Sequence, residues 1–334
     1  MNRVRWGLVG ATVIGREWMI AAIRAVGGEI VAVYSRDAAR ARAYATEFAI
    51  PHAVTELAAL LRHDIDAVYI ATTNDRHHDE CLAAAAAGRH VLCEKPLALT
   101  LADAQAMVAA CRRAGVVLAT NHHLRNAAVH RAIRNEVQSG RLGRLVLARV
   151  VHGGLLPRHL QTWRLANPAA GAGAVLDLTV HDADLLRFVL DDEPTQVTAQ
   201  IASTGLAQPG IEDAASGVIR FRSGLLASFT DSFNTPQLRT TVAVHGTAAS
   251  IVARDCMAQT PGGRLWRRDA TGETELTLVQ ENYYERGLSA FHAAIAGTGR
   301  PVCTGEDGVA SLAVALAALQ SAHSGTAQAI DAAA

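Results

Sequence analysis

"VRWGLVGATVIGREW" (residues 4–18) joins an apolar, strand-like segment to the start of a helix-like segment. The turn between them, GATVIG, matches the G-x-G-x-x-G pattern except for Thr12 at the second glycine position. Such a turn ends the strand tightly and directs the amino terminus of the next helix at the pyrophosphate of a dinucleotide. We therefore expect a cofactor to bind at Gly10, Ala11, Thr12, Val13, Ile14 and Gly15. The alternative is an ordinary strand-to-helix turn.

The first 122 residues repeat this alternation of strand and helix. Strand-like segments at 29–35, 66–72, 90–95 and 116–121 alternate with helix-period segments at 37–48, 76–88 and 101–115. Short β-branched segments separated by helices of this length favour right-handed crossovers between parallel strands. The pattern predicts an α/β Rossmann domain with a doubly wound parallel sheet over residues 1–122.

Residues 123–334 have a different pattern. Helix-period segments at 130–140 and 177–190 stand among closely spaced alternating segments, and further helices are expected at 283–297 and 306–322. Alternation with short turns is typical of antiparallel strands that bury one face. We expect an α+β domain with a large, open, mainly antiparallel sheet, whose C-terminal helix can return to the first domain.

Composition limits the function classes. The 334 residues carry 31 basic and 31 acidic side chains, and this balance argues against a nucleic-acid partner. No segment approaches the roughly 20 apolar residues of a membrane helix, and the N-terminus lacks a signal-peptide pattern. The five cysteines are scattered, without a C-x-x-C pair, which is typical of free thiols in a reducing compartment. We expect a cytoplasmic protein without a membrane partner; both a monomer and a homo-oligomer remain open.

The end of the second strand bears on cofactor choice. An acidic residue there holds a free ribose 2′-hydroxyl, whereas an arginine accommodates a 2′-phosphate. Ser35, Arg36 and Arg40 supply hydroxyl and guanidinium donors suited to a phosphate. The sequence favours NADP(H), with NAD(H) still open, and the alternative is two surface arginines that begin a solvated helix.

The segment ATTNDRHH follows the strand 66–72 at the carboxyl edge of the predicted sheet, where doubly wound folds bind ligands. Its small polar residues leave room for a ribose and a nicotinamide. Adjacent His77 and His78 diverge on a helix without a supporting carboxylate or thiolate cluster, so we predict no metal site.

The segment CEKPLAL ends the strand 90–95 with a charged pair before a proline. Pro96 stops the strand, so Lys95 is presented at a fixed position on the same edge as Gly10 and Thr72. A lysine there can stabilise negative charge on a carbonyl oxygen during hydride transfer and can donate a proton. A surface turn is the alternative.

The segment DLTVHDADLLRF offers a second acid–base group. Asp177 and His181 are four residues apart, so a helix that starts near Asp177 places both on one face, with Asp184 one turn beyond His181. A histidine facing a carbonyl can act as a general acid, and a neighbouring carboxylate can fix its tautomer. Taken alone, the pair could equally be a surface pair or part of a metal site.

Together, GATVIG, CEKPLAL and DLTVHDADLLRF resemble the Gfo/Idh/MocA family of sugar-type dehydrogenases over essentially the whole chain. The resemblance implies a Rossmann domain, an open-sheet α/β domain, and catalysis by Lys95 and His181 with Asp177. It implies cofactor contacts at Gly10 to Gly15, Ser35, Arg36, Arg40, Thr72, Thr73, Asn74, His77, Glu94, Lys95, Asn121, Trp163, Arg164 and, less directly, Tyr284. It also implies substrate contacts at His152, His181 and Asp177. Two departures are Thr12, for the usual glycine, and Arg36, which strengthens the preference for NADP.

The resulting hypothesis is an enzyme that reduces a sugar-type ketone with NADPH. Three alternatives remain open: an NAD(P)-dependent dehydrogenase of a cyclitol or aldose, a redox-neutral enzyme that cleaves glycosidic bonds, and a non-catalytic NADP-binding sensor. The presence of both Lys95 and His181 weighs against a sensor, which needs no acid pair.

Overall fold

The computed structural model describes residues 3–331. The chain divides into two compact units. The first unit comprises the chain up to His123 together with Tyr284–Val309, and the second comprises Leu124–Tyr283 together with the chain from Ala310.

The first unit is built on a six-stranded parallel sheet. The strands are β1 Arg5–Val9, β2 Glu29–Tyr34, β3 His52–Val54, β4 Ala67–Ile70, β5 His90–Cys93 and β6 Leu118–Thr120. Their order, β3-β2-β1-β4-β5-β6, is that of a doubly wound Rossmann sheet, as the sequence predicted. Val9, Ile70 and Cys93 lie side by side at the carboxyl ends of β1, β4 and β5. The residues that follow these strands therefore share one edge.

Helices connect these strands, and the sequence explains where they begin and end. They are α1 Ile20–Ala25, preceded by a π-helical turn at Gly15–Met19, then α2 Ala38–Glu47, α3 Leu57–Leu61, α4 His77–Ala86 and α5 Leu101–Ala114. The Asp37 side chain caps α2, the Thr100 side chain caps α5, and Gly115 ends α5 with a φ of 67°. The short elements β3 and α3 were not expected from the sequence because neither is long enough to show a period.

The C-terminal part of the first unit begins within α8, Tyr283–Ile295. The Phe291 ring lies 5.5 Å from the buried Trp6 ring of β1, centroid to centroid, and Trp6 Nε1 donates to His292 Nε2 at 3.3 Å. Thr304 forms a β-bridge to Ala119. These contacts join the returning segment to the Rossmann sheet.

The second unit is built on a nine-stranded sheet. Its strands are β7 Leu145–Gly153, β8 Pro194–Ala202, β9 Ala214–Phe221, β10 Leu226–Ser232, β11 Thr241–Gly246, β12 Ser250–Arg254, β13 Arg264–Asp269, β14 Gly272–Leu276 and β15 Gln328–Ala329. The order is β14-β13-β12-β11-β7-β10-β9-β8-β15. The mainly antiparallel sheet was predicted, but the central pair β7 and β10 is parallel. The long connection between these two strands contains helical segments, as a parallel pair requires.

Three helices accompany this sheet. They are α6 Ala128–Gln138, α7 Val180–Leu190 and α9 Gly305–Ser324, the last of which begins in the first unit. A π-helical turn at Val175–Thr179 leads into α7. Over residues 3–331, the helices lack the combination of length and hydrophobicity that crossing a membrane requires.

Candidate active site

The glycine turn after β1 is fixed by its neighbours. Gly10 has a φ of +112°, a region that favours glycine, and Thr12 Oγ1 accepts from the Gly15 N–H at 3.3 Å. The Tyr44 hydroxyl of α2 donates to the Thr12 carbonyl at 3.0 Å. A Cβ at Gly15 would lie 2.5 Å from that hydroxyl oxygen. The turn therefore needs glycine at both ends, as the close approach of a pyrophosphate to a helix amino terminus requires.

The end of β2 presents basic rather than acidic groups. The Asp37 carboxylate accepts from the N–H groups of Ala39 and Arg40 at 2.9 and 3.0 Å, and these hydrogen bonds lower its pKa. Asp37 is thus occupied as the cap of α2. Arg36 and Arg40 are exposed, and the buried Ser35 accepts from the Asp37 N–H through Oγ at 3.3 Å. The end of β2 therefore offers a hydroxyl group and two exposed guanidinium groups, while its carboxylate is engaged by the helix.

The segment after β4 contains a buried acid that the sequence analysis missed. Thr72 Oγ1 donates to Glu80 Oε2 at 2.5 Å, and Arg76 lies 2.6 Å from Glu80 Oε1. Burial raises the pKa of Glu80 to about 7, although both partners oppose the shift. Thr73 precedes the 3-10 turn Asn74–Arg76.

His77 ties two turns of the first unit together. It is completely buried, with Nδ1 3.0 Å from the Pro96 carbonyl oxygen and Nε2 3.3 Å from the Thr72 carbonyl oxygen. Because both ring nitrogens face backbone carbonyls, this side chain positions the turn that carries Lys95.

Lys95 and Glu94 follow β5 directly. The half-buried Glu94 accepts from the Tyr69 hydroxyl at 2.5 Å and from Asn121 Nδ2 at 2.6 Å. Burial raises the pKa of Glu94, and these two donors oppose the shift. Lys95 is half-buried and precedes a cis proline.

Lys95 is also the one lysine of the chain, since the other 30 of the 31 basic residues are arginines. An arginine stays charged in a protein, whereas a lysine can give up a proton. The single lysine side chain of the sequence therefore lies at the carboxyl edge of the Rossmann sheet.

Tyr284 is a buried residue of the first unit. Its ring stacks between Trp18, at 5.8 Å, and His123, at 5.3 Å, measured between ring centroids. These three aromatic residues form one stack near the start of α8.

Asp177 of the second unit lies on the π-helical turn before α7. Arg164 Nε is 3.4 Å from Asp177 Oδ2, and the Arg164 guanidinium lies over the Trp163 ring at 4.7 Å. The structure thus brings Trp163, Arg164 and Asp177 together within one unit.

His152 and His181 form a buried imidazole pair, with ring centroids 6.0 Å apart. His152 lies near the end of β7, and His181 is the second residue of α7. His152 Nδ1 is 2.9 Å from Asp182 Oδ1. Three predicted residues, Asp177, His181 and His152, are therefore on or beside the start of α7.

Sequence reasoning missed the acids next to this pair. Asp182 and Asp231 are buried beside His152, and one ligand atom from each of the three lies within 4.8 Å of the others. The available signal for Asp231 was its position in the alternation Ala227, Phe229, Asp231 of β10, where inward residues are otherwise apolar. Asp184 is a structural residue, because Arg125 binds it through two hydrogen bonds of 2.8 and 2.6 Å.

Comparison with known proteins agrees with this architecture. Residues 4–122 match the Gfo/Idh/MocA model described as "Oxidoreductase family, NAD-binding Rossmann fold", and residues 130–252 match the GFO/IDH/MocA C-terminal domain. A 1,5-anhydro-D-fructose reductase of Ensifer adhaerens is 53% identical over 98% of both chains. A D-xylose 1-dehydrogenase (NADP(+)) of Haloferax volcanii is 31% identical over 98% of this chain and 99% of its own.

A solved structure shows the same fold. The aldose-aldose oxidoreductase of Caulobacter crescentus, crystallised with glycerol, superposes with a TM-score of 0.89 at 23% identity, over 98% of this chain and all of its own. The two family models cover most of the chain, and a relative more than half identical spans nearly all of it. The chain therefore belongs to the Gfo/Idh/MocA family of oxidoreductases and carries its NAD-binding Rossmann fold.

Proposed function

We propose that this enzyme reduces a sugar-type ketone with NADPH, and that its substrate is 1,5-anhydro-D-fructose, which it converts to 1,5-anhydro-D-mannitol. The observation that carries the substrate is the 53% identity to a 1,5-anhydro-D-fructose reductase over 98% of both chains. In this proposal, residues 1–122 bind the cofactor, residues 123–334 bind the substrate, and the enzyme acts in the cytoplasm.

The residues of the first unit fit a dinucleotide. The turn from Gly10 to Gly15 would hold the pyrophosphate. Residue 15 has to be glycine, because a side chain there would collide with Tyr44. Ser35, Arg36 and Arg40 would hold a 2′-phosphate. The ribose and nicotinamide would be surrounded by Thr72, Thr73, Asn74, His77, Glu94 and Asn121, with Tyr284 as a further contact. Trp163 and Arg164, which belong to the second unit, would also contact the cofactor. When bound, the cofactor supplies the hydride.

The protein side chains would manage charge and protons at the substrate. Lys95 would neutralise the negative charge that develops on the carbonyl oxygen, and His181 would donate a proton to it. Asp177, held by Arg164, would orient the site, and His152 would contact the substrate.

Purified protein assayed with 1,5-anhydro-D-fructose, inositols and common aldoses, each with both cofactors, tests the function. We expect rapid NADPH consumption with the first compound and a product of the manno configuration. The relative that oxidises D-xylose with NADP(+) makes aldose oxidation the second candidate. Faster NADP⁺ reduction by an aldose or an inositol would replace the proposal with that alternative.

Three variants test the acid assignment. Lys95→Met and His181→Ala should each lower turnover at least about a hundredfold, the usual effect of removing a general acid or an oxyanion partner. Lys95→Arg should retain more activity than Lys95→Met, because arginine keeps the positive charge. It should not reach the wild-type level, because arginine cannot release a proton. Near-normal turnover in Lys95→Met and His181→Ala would refute the assignment.

The NADP preference is tested at Arg36. Arg36→Ala should raise the KM for NADPH about tenfold, the cost of losing one hydrogen bond to a charged group, and leave that for NADH unchanged. Arg42→Ala, which replaces an exposed arginine of α2 a few residues further on, is the control. An equal change for both cofactors would remove Arg36 from the phosphate site.

A further inference from the structure

Asp182 and Asp231 form a buried pair of acids in the second unit. Asp231 of β10 lies opposite His152 of β7 in the sheet register, and Asp182 belongs to the first turn of α7. The two acids are 0% and 1% exposed. Two carboxylates out of water beside each other repel strongly, so they do not both stay ionised.

The hydrogen bonds of Asp182 and Asp231 leave one oxygen of each carboxyl group without a donor. Asp182 Oδ1 is paired with His152 Nδ1 at 2.9 Å, and Asp231 Oδ2 accepts from Thr179 Oγ1 at 2.5 Å. The remaining oxygens, Asp182 Oδ2 and Asp231 Oδ1, are buried without a donor. The two carboxyl groups adjoin each other, with an oxygen of each within 4.8 Å of the other, and each affects the pKa of the other. One proton between them satisfies all four oxygens.

We propose that Asp182 and Asp231 share this proton, carried by Asp231, and that ionised Asp182 is a positioning residue for His152. Asp182 then keeps the His152 proton on Nδ1, so that Nε2 is the nitrogen that accepts a hydrogen bond from a substrate hydroxyl. This inference rests on the proposed function for the role of His152, although the shared proton does not depend on it.

The surroundings support this assignment. Burial raises the pKa of both acids, and the charge of Asp182 raises that of Asp231 further, so Asp182 ionises first and Asp231 keeps the proton. Among the described residues, the other titratable groups around the cluster include His130 of α6, Cys256 after β12 and His181 of α7. Burial lowers the pKa of His130 to about 4 and raises that of Cys256 to about 12, so both are neutral near pH 7.

A divalent cation is the rival occupant, because His152, Asp182 and Asp231 are close enough to share one. A cation takes four or more ligands, so beside these three residues it would need at least one water molecule within a buried site. A proton needs only the two oxygens that lack a donor, and the other two already have partners. The geometry therefore favours the proton.

Two isosteric variants test the proposal. In Asp231→Asn the amide donates permanently to Asp182 and its oxygen still accepts from Thr179, so kcat/KM for the ketone should stay within about threefold of wild type. Asp182→Asn removes the charged partner of His152 and should lower kcat/KM at least about tenfold, with the KM for NADPH unchanged. The alkaline fall in activity caused by loss of the shared proton should disappear in Asp231→Asn.

A second measurement is independent of activity. Infrared spectra of the unliganded protein near pH 7 should show, in wild type, a protonated-carboxyl band that both variants lack. Wild-type-minus-variant difference spectra identify it, because Glu80, with a pKa of about 7, contributes equally to all three proteins. The shared proton would be refuted if wild type lacked this band. It would also be refuted if wild type bound one equivalent of metal that both variants failed to bind. Equal kinetic effects of the two variants would overturn the positioning role of Asp182. A wild-type protein that shows the band but reduces no ketone would refute the proposed function alone.

Discussion

The loop before β9 and the end of β10 each bury an aspartate, and their surroundings differ. Asp213 accepts four hydrogen bonds, two from Thr204 and one each from the N–H groups of Leu206 and Ala207. Burial raises its pKa, but these donors outweigh burial and the net shift is downward. Asp231 faces another acid and has a raised pKa. The donors around Asp213 and the second acid beside Asp231 decide which of the two is ionised.

A third arrangement occurs on α7, where a guanidinium neutralises a buried acid. Arg125 and Asp184 are a nearly fully buried, bidentate pair, two residues along the helix from Asp182. Arg125→Met should lower the free energy of unfolding by about 3–5 kcal/mol, because it leaves a buried charge without its partner. Urea denaturation measures this loss.

Arg134→Met is the matched control, since both guanidinium groups lie over the Phe188 ring. Arg134 pairs with the exposed Asp191, so its replacement should cost only about 1 kcal/mol. Equal losses in the two variants would show that the ring contact, and not the buried charge, accounts for the effect.

The same substitution at two positions tests the comparison most directly. Asp213→Asn places an amide against backbone N–H groups and should lower the free energy of unfolding by about 2–3 kcal/mol at pH 7. Asp231→Asn replaces a protonated acid by an amide and should change it by less than about 1 kcal/mol. Similar losses at both positions would mean that Asp231 is ionised.

The difference between these regions also explains which features of the fold and of the site can be predicted from the sequence. GATVIG and CEKPLAL each lie within a few residues of a strand end, so the Rossmann sheet and its edge follow from local pattern. The separation between Asp182 and Asp231 is 49 residues. Asp231 lies beside His152, the partner of Asp182, through the parallel pairing of β7 with β10, which the alternating pattern did not reveal. Likewise, Arg125 lies far from Asp184 in sequence, so the structural role of Asp184 could not be inferred from its helical spacing alone.

The first unit offers a smaller effect. Tyr69→Phe removes a donor from the half-buried Glu94, so the free energy of unfolding should fall by about 1–2 kcal/mol. Tyr44→Phe removes a donor from the neutral Thr12 carbonyl and should cost less, about 1 kcal/mol. Both values come from urea denaturation at pH 7. A larger loss in Tyr44→Phe would contradict the view that the charge of the acceptor decides the cost.

The smallest effect is in the pH dependence of thermal stability. Because the pKa of Asp231 is raised in the folded protein, the folded pair holds a proton that the unfolded chain releases, and this stabilisation is lost as the pH rises toward that raised pKa. The Tm of wild type should therefore fall relative to that of Asp231→Asn between pH 6 and pH 9, by about 1–2 °C if about 1 kcal/mol is lost. Asp213→Asn should show no such change relative to wild type, since the lowered pKa of Asp213 leaves it ionised throughout this range. If the Tm difference between wild type and Asp231→Asn stayed constant from pH 6 to pH 9, the pair would titrate outside this interval. The proposed difference in protonation between Asp213 and Asp231 would then lose its support.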